Sequence, residues 1–140
     1  MMKTLKPILL VEDDSVDAMT VKRALKDLKV TNQLVHRLDG EEALEYLKER
    51  SNKRPSVILL DLNMPKMNGV ELLEVIKKDE AFKKIPVIVL TTSKEEDDIM
   101  ETFKLSIAGY MVKPVDYKKF VEAIRAINLY WTLSELPNGE

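Results

Sequence analysis

The sequence predicts an α/β domain of (βα)5 type, in which five short strands build a doubly wound parallel sheet covered by helices on both faces. Three observations carry this. Short apolar runs alternate along the chain with amphipathic stretches of helical spacing. The runs are rich in Val, Ile and Leu without period-two alternation, which suits strands buried on both faces. The spacers between them are too long for hairpins and long enough for crossover helices. The 140 residues amount to one domain, with no repeat, low-complexity segment or linker to divide them.

The elements follow in order. Ile8 to Val11 is an apolar run after Pro7, and Ser15 to Leu28 places Ala18, Val21, Leu25 and Leu28 on one helix face. Leu34-Val35 lies in a weaker second strand that ends at Asp39-Gly40, a turn signal. Glu41 to Glu49 is helical with Ala43, Leu44 and Leu47 inward, and Val57 to Leu60 is the third strand, ending in Asp61. Gly69 to Lys78 is a helix with Leu72, Leu73 and Ile76 on one side, and Val87 to Leu90 is the fourth strand, introduced by Pro86. Lys94 to Leu105 reads as a helix with Ile99, Met100 and Phe103 inward. Tyr110 to Val112 is the fifth strand, stopped by Pro114. The last helix starts near Tyr117, with Phe120, Ile124, Ile127 and Trp131 at spacings of four, three and four.

Composition narrows the function. Apolar residues make up 45% of the chain, enough for a core, and charged residues make up 33%, enough for solubility. The 22 Lys and Arg against 24 Asp and Glu leave a net charge of −2, without the basic excess of a nucleic-acid binder. The absence of cysteine removes disulfides, thiolate nucleophiles and Cys-ligated zinc. The single histidine, His36, cannot build a His-rich metal site and reads as a surface or edge residue of the second strand. No apolar run approaches the roughly 18 residues that span a bilayer. The MMKTLKP start lacks the apolar core and cleavage site of a signal peptide, so the expected location is the cytoplasm.

Ligands of open α/β sheets bind beyond the carboxyl ends of the strands. Here the first strand ends in Glu12-Asp13-Asp14, the third in Asp61, the fourth in Thr91-Thr92-Ser93 and the fifth in Lys113-Pro114. Asp39-Gly40, after the second strand, looks like turn chemistry only. The other ends offer groups that bind a cation or a phosphoryl group. Acidic side chains converging on one rim repel, and the ordinary relief is a bound divalent cation or a raised pKa. With only oxygen ligands on offer, the hard ion Mg²⁺ is the natural choice. One of these acids, or Ser15, also serves as the cap of the first helix.

The segments Ile8-Leu9-Leu10-Val11-Glu12-Asp13-Asp14, Ile58-Leu59-Leu60-Asp61-Leu62-Asn63-Met64-Pro65 with Asn68-Gly69, Pro86-Val87-Ile88-Val89-Leu90-Thr91 and Gly109-Tyr110-Met111-Val112-Lys113-Pro114 resemble the signature of a CheY-like response-regulator receiver domain. The resemblance covers essentially the whole chain. It implies the flavodoxin/CheY-like three-layer α/β/α fold with strand order 2-1-3-4-5, a receiver over residues 1–132 and a short tail over 133–140. More narrowly, Asp61-Leu62-Asn63-Met64-Pro65, Leu90-Thr91-Thr92-Ser93 followed by Glu96-Asp97-Asp98, and Trp131 before Leu136-Pro137 resemble the single-domain regulators paired with bacterial phytochrome kinases.

The resemblance implies a role for each matching residue. Asp61 is the phosphoacceptor, a carboxylate nucleophile that takes a phosphoryl group from a phosphohistidine of a sensor histidine kinase. Asp13 holds Mg²⁺ directly and Glu12 through water, and the Asn63 carbonyl completes the protein ligands; Asp14, one step further on, has no such match and reads as a helix-capping acid. Lys113 and the Thr91 hydroxyl each take one phosphoryl oxygen. The Lys113–Pro114 bond is cis in the family, which aims Lys113 into the pocket. Tyr110 is the aromatic switch that turns inward as Thr91 moves, and it biases the face made by the 94–105 helix, the fifth strand and the last helix. The implied protein is a self-phosphorylating acceptor with slow autodephosphorylation, not an enzyme turning over a separate substrate, and its output goes to a downstream protein target.

Two departures bear on the lifetime of the phosphorylated state. Thr92 is β-branched where many relatives carry a smaller residue, and Asn63 stands where the side chain tunes water attack. Asn63 also argues against a haloacid-dehalogenase phosphatase, which needs an aspartate there as general acid. A flavodoxin-like carrier is excluded by Glu12-Asp13-Asp14, which would repel a flavin phosphate. A phosphorylation-independent binding module is the alternative, although such proteins usually lose the acidic pair, Asp61 or Lys113. About nine residues follow Trp131, too few for a helix-turn-helix. Leu129, Tyr130, Trp131, Leu133 and Leu136 keep the C-terminal end apolar and point to a homodimer, with packing back onto its own domain as the alternative.

Overall fold

The computed structural model describes residues 6–62, 66–91, 107–112 and 116–134. Its strands are β1 (Ile8–Val11), β2 (Leu34–Arg37), β3 (Val57–Leu60), β4 (Val87–Thr91) and β5 (Gly109–Val112). They form one parallel sheet in the order β2-β1-β3-β4-β5, as expected. The helices are α1 (Ser15–Asp27), α2 (Gly40–Lys48), α3 (Gly69–Lys78) and a C-terminal helix (Tyr117–Ser134), with a 3₁₀ turn over Phe82–Lys84. Asn63, Thr92, Lys113, Pro114, the expected 94–105 helix and residues 135–140 lie outside the described residues, as does the expected cis bond.

Strand parity sorts the core into two layers. Leu9, Val11, Ile58, Leu60, Val87 and Val89 face one side and pack with Leu72, Leu73 and Ile76 of α3 and Ala43 and Leu44 of α2. Ile8, Leu10, Val57, Leu59, Ile88 and Leu90 face the other and pack with Ala18, Val21 and Leu25 of α1 and Phe120 and Ile124 of the C-terminal helix. Every residue of β1 and β3 is buried, which is why those strands show no polar alternation. At roughly 1.5–3 kcal/mol per fully buried aliphatic side chain, these two layers dominate the stability. On the second layer, the Tyr117 hydroxyl donates to Asp27 at 2.6 Å and Arg23 lies 4.2 Å over the Tyr117 ring, tying the C-terminal helix to α1.

The helix starts are fixed by short polar side chains. Asp14 caps α1, accepting from Val16 and Asp17 N–H at 2.9 and 3.0 Å. Asp39 caps α2 through Glu42 N–H, so the expected Asp39-Gly40 turn is also a helix start. Asn68 and Glu71 form a reciprocal capping box on α3.

Two glycines hold the chain that leaves β3. A Cβ on Gly69 would sit 2.6 Å from the Asp61 carbonyl oxygen and 2.7 Å from Leu62 Cα. Gly69 N–H also donates to Leu62 O at 3.1 Å, closing the loop on itself. Gly40 meets the same loop from α2: its N–H donates to Met67 O at 3.1 Å, and a Cβ there would reach Met67 Cγ at 2.7 Å. Here the Asp39-Gly40 reading needs correcting, because the pair does more than turn the chain. It braces the loop behind Asp61.

The two glycines differ in what they face, and that sets an expected order of stability. At Gly69 the obstruction is backbone, which cannot swing away, so Gly69→Ala should cost about 1–3 kcal/mol, in the range of overpacking. At Gly40 the nearest atom is the side-chain Met67 Cγ, and the backbone obstruction, Met67 O at 2.9 Å, is less close than at Gly69, so Gly40→Ala should cost less. Urea unfolding of both variants checks this through their midpoints, and equal midpoints would contradict it.

Candidate functional site

β1 and β3 are neighbours in register, with Val11 opposite Leu60. One residue beyond that pair come Glu12 and Asp61, so adjacent buried strands deliver two acids to the same rim. Both are held there by the continuing ladder: Asp61 N–H donates to Val11 O at 3.1 Å and Glu12 N–H to Arg37 O at 3.0 Å. Glu12 is 1% and Asp61 7% exposed, whereas Asp13 is exposed. Carboxylate oxygens of Glu12, Asp13 and Asp61 all lie within 4.8 Å of one another.

The Glu12-Asp13-Asp14 turn divides its labour. Asp14 is committed to the α1 cap, and its own N–H donates to Glu12 Oε2 at 3.2 Å. Of the three consecutive acids, the two that remain beside Asp61 are therefore Glu12 and Asp13. Thr91 is the last residue of β4 and pairs with Val112, while Tyr110 pairs with Val89. Their backbones therefore lie on the β4–β5 side of the sheet, across β3 from β1.

The acidic cluster fits a hard divalent cation. Its donors are all carboxylate oxygens, which suit Mg²⁺, Ca²⁺ or Mn²⁺ and not a thiolate- or imidazole-seeking metal. The mixed exposure fits as well: the buried Glu12 and Asp61 fix the floor, and the exposed Asp13 leaves the outer face open to water or a phosphoryl oxygen.

Two features of the site were not visible in the sequence reading. Asp39 is buried, as part of the brace at the start of α2. His36 does lie on an edge strand, as expected, but its Nε2 sits 2.7 Å from the Glu12 carbonyl oxygen. Because a carbonyl only accepts, that nitrogen carries the proton. The signal in the sequence was the pairing itself: once β2 lies beside β1, His36 is level with Leu10, two residues before Glu12.

Known proteins share this fold. Residues 8–125 match the response regulator receiver domain family. The response regulator Rcp1 of Synechocystis sp. is 38% identical over 130 residues, covering 90% of this chain and 88% of that protein. The crystal structure of Mn²⁺-bound Rcp1 superposes with a TM-score of 0.83 at 38% identity, over 90% of this chain and 94% of that one. That of the phosphorylated cyanobacterial phytochrome response regulator RcpA gives 0.86 at 39% identity, over 95% and 97%. A family match over most of the chain and the strand order agree, and the acidic rim is a candidate site for a divalent cation: this chain belongs to the response-regulator receiver domain family.

Proposed function

We propose that the protein is a two-component response regulator that accepts a phosphoryl group on Asp61 from a sensor histidine kinase, with Mg²⁺ as its cation. The observation that carries this is the buried Asp61 carboxylate within 4.8 Å of Glu12 and Asp13 carboxylates. Residues 1–132 are its receiver and 133–140 its tail. A carboxylate oxygen of Asp61 attacks phosphorus, a P–O bond forms as the P–N bond of the phosphohistidine breaks, and the acyl phosphate results. Glu12, Asp13, Asp61 and the Asn63 carbonyl hold the cation, which when bound neutralises charge on the phosphoryl oxygens. Lys113 and Thr91 take the remaining oxygens, and Tyr110 follows Thr91 as the switch. The protein transfers the group to itself and loses it by slow hydrolysis, so it turns over no separate substrate.

The likeness to the phytochrome response regulator RcpA supports a phytochrome-type kinase as donor. No described helix is long and apolar enough to cross a membrane. The protein acts in the cytoplasm on protein partners, and its net charge of −2 offers no basic excess for nucleic acid. Phosphorylation brings about −1.5 to −2 units of charge to the rim, and the face made by the 94–105 segment, β5 and the C-terminal helix transmits it to a downstream protein.

Labelling tests the assignment. Incubation with a phosphorylated kinase or a small phosphodonor should give a base-labile, acid-stable label that needs Mg²⁺ and disappears on chelation and in Asp61→Asn. Persistent acid-stable label in Asp61→Asn would overturn the acceptor assignment, and no label on the wild type would favour a phosphorylation-independent module.

The C-terminal helix runs on to Ser134, well past the buried Ile124, through Leu129, Tyr130, Trp131 and Leu133. We assign this end, with the face just named, to a two-fold homodimer that phosphorylation tightens. Sedimentation at tens of micromolar or so should show a dimer for wild type, weakened by Trp131→Ala and abolished by truncation after Asn128. Monomers for all three, with and without a phosphate mimic, would refute it.

A further inference from the structure

We infer that His36 is a positioning residue for the cation site, acting through the backbone of Glu12; this rests on the assignment of Glu12 and Asp13 as cation ligands. The Glu12 carbonyl belongs to the peptide that joins the two ligands, so its direction sets where the Asp13 side chain starts. β2 ends at Arg37. Its last ladder contact takes Glu12 N–H onto Arg37 O at 3.0 Å, and beyond it the His36 imidazole reaches the Glu12 carbonyl at 2.7 Å. Both polar atoms of the Glu12 backbone are thus held from β2. On the far side of the turn, Asp14 N–H is held by Glu12 Oε2 and the Asp14 side chain by α1.

The consequence is a peptide that cannot rotate before the cation arrives. Asp13 is exposed, and an exposed turn residue ordinarily spends conformational freedom on binding. With Glu12 held at N–H and carbonyl and Asp14 held at both N–H and side chain, Asp13 is left only its side-chain torsions. The half-buried imidazole is suited to this, because its rigid ring projects a donor from β2 where a flexible side chain would have to be ordered.

The test is titration of the full chain with Mn²⁺ and with Mg²⁺ by calorimetry at about pH 8.5, above the ordinary imidazole range. His36→Phe, which keeps a ring and removes the donor, should weaken both cations about three- to tenfold, the share of one net hydrogen bond. His36→Gln, which restores an N–H donor, should recover part of that loss. A merely structural role would lower the thermal midpoint without cation and leave the affinity of the folded protein unchanged. Unchanged affinity in a folded His36→Phe therefore overturns the inference. Failure of the wild type to bind either cation overturns the ligand assignment beneath it, a distinguishable result. Should His36→Phe fail to fold, the wild-type imidazole decides by NMR. Mg²⁺ should shift the His36 Nε2 resonance together with the Asp13 amide, and a shift at Asp13 alone refutes the coupling.

Discussion

The structure depends on keeping carboxylates together that repel each other. Two like charges about 5 Å apart, at an effective dielectric of about 20, repel by roughly 3 kcal/mol. A flexible loop would relieve that by spreading. This chain prevents it by placing Glu12 and Asp61 one residue past the ends of neighbouring strands that are buried over their whole length. To separate the acids, β1 would have to slip against β3, and a slip of one residue would exchange the two core layers. The energy stored at the rim is therefore held by the hydrophobic core, and a bound divalent cation offsets it.

The same constraint explains the brace around the Asp61 loop. Fixing a strand end does not by itself fix the residues that follow it, and the loop after β3 must supply a further backbone ligand in the proposed site. Gly69 packs against the Asp61 and Leu62 backbone, and Gly40 takes the Met67 carbonyl onto the start of α2. Both contacts need the absence of a Cβ. On the opposite flank, His36 and Arg37 of β2 hold the Glu12 backbone. An edge strand that adds little to the core thus serves as a splint for the site.

Physical reasons separate what was legible in the sequence from what was not. β1, β3 and β4 read clearly because burial on two faces leaves an unbroken apolar run, and the acids at their ends then mark the rim. β2 read weakly because an edge strand has fewer neighbours: only Val35 of its four residues is buried, so its pattern carries less signal. The role of Gly40 depends on Met67, distant in sequence, and no local pattern reports which backbone will approach a glycine. His36 failed to stand out for the same reason, since its partner is a main-chain carbonyl and any residue would have supplied one. The 3₁₀ turn at Phe82–Lys84 is set by Asp79, whose carboxylate accepts from Ala81 and Phe82 N–H, and by the burial of Phe82. Its three residues are too few to show a period.

The order of the strands gives the site two unlike halves. On one side, β1 and β3 are central strands paired on both edges, and the acids stand just past their ends. On the other side, Thr91 ends β4 and Tyr110 lies on β5, which is paired on one edge only. A switch needs this division. If the acceptor moved with the responding residues, phosphorylation would be absorbed as strain at the rim and nothing would reach the surface. In the proposed site the cation meets the added charge from the β1 side, and the acceptor is fixed by the central strands, so the proposed response falls to groups on the β4–β5 side. Moving a residue of an edge strand disturbs fewer ladder bonds than moving a central one. The proposed path from Asp61 through Thr91 to Tyr110 therefore runs from the buried central strands to an edge strand.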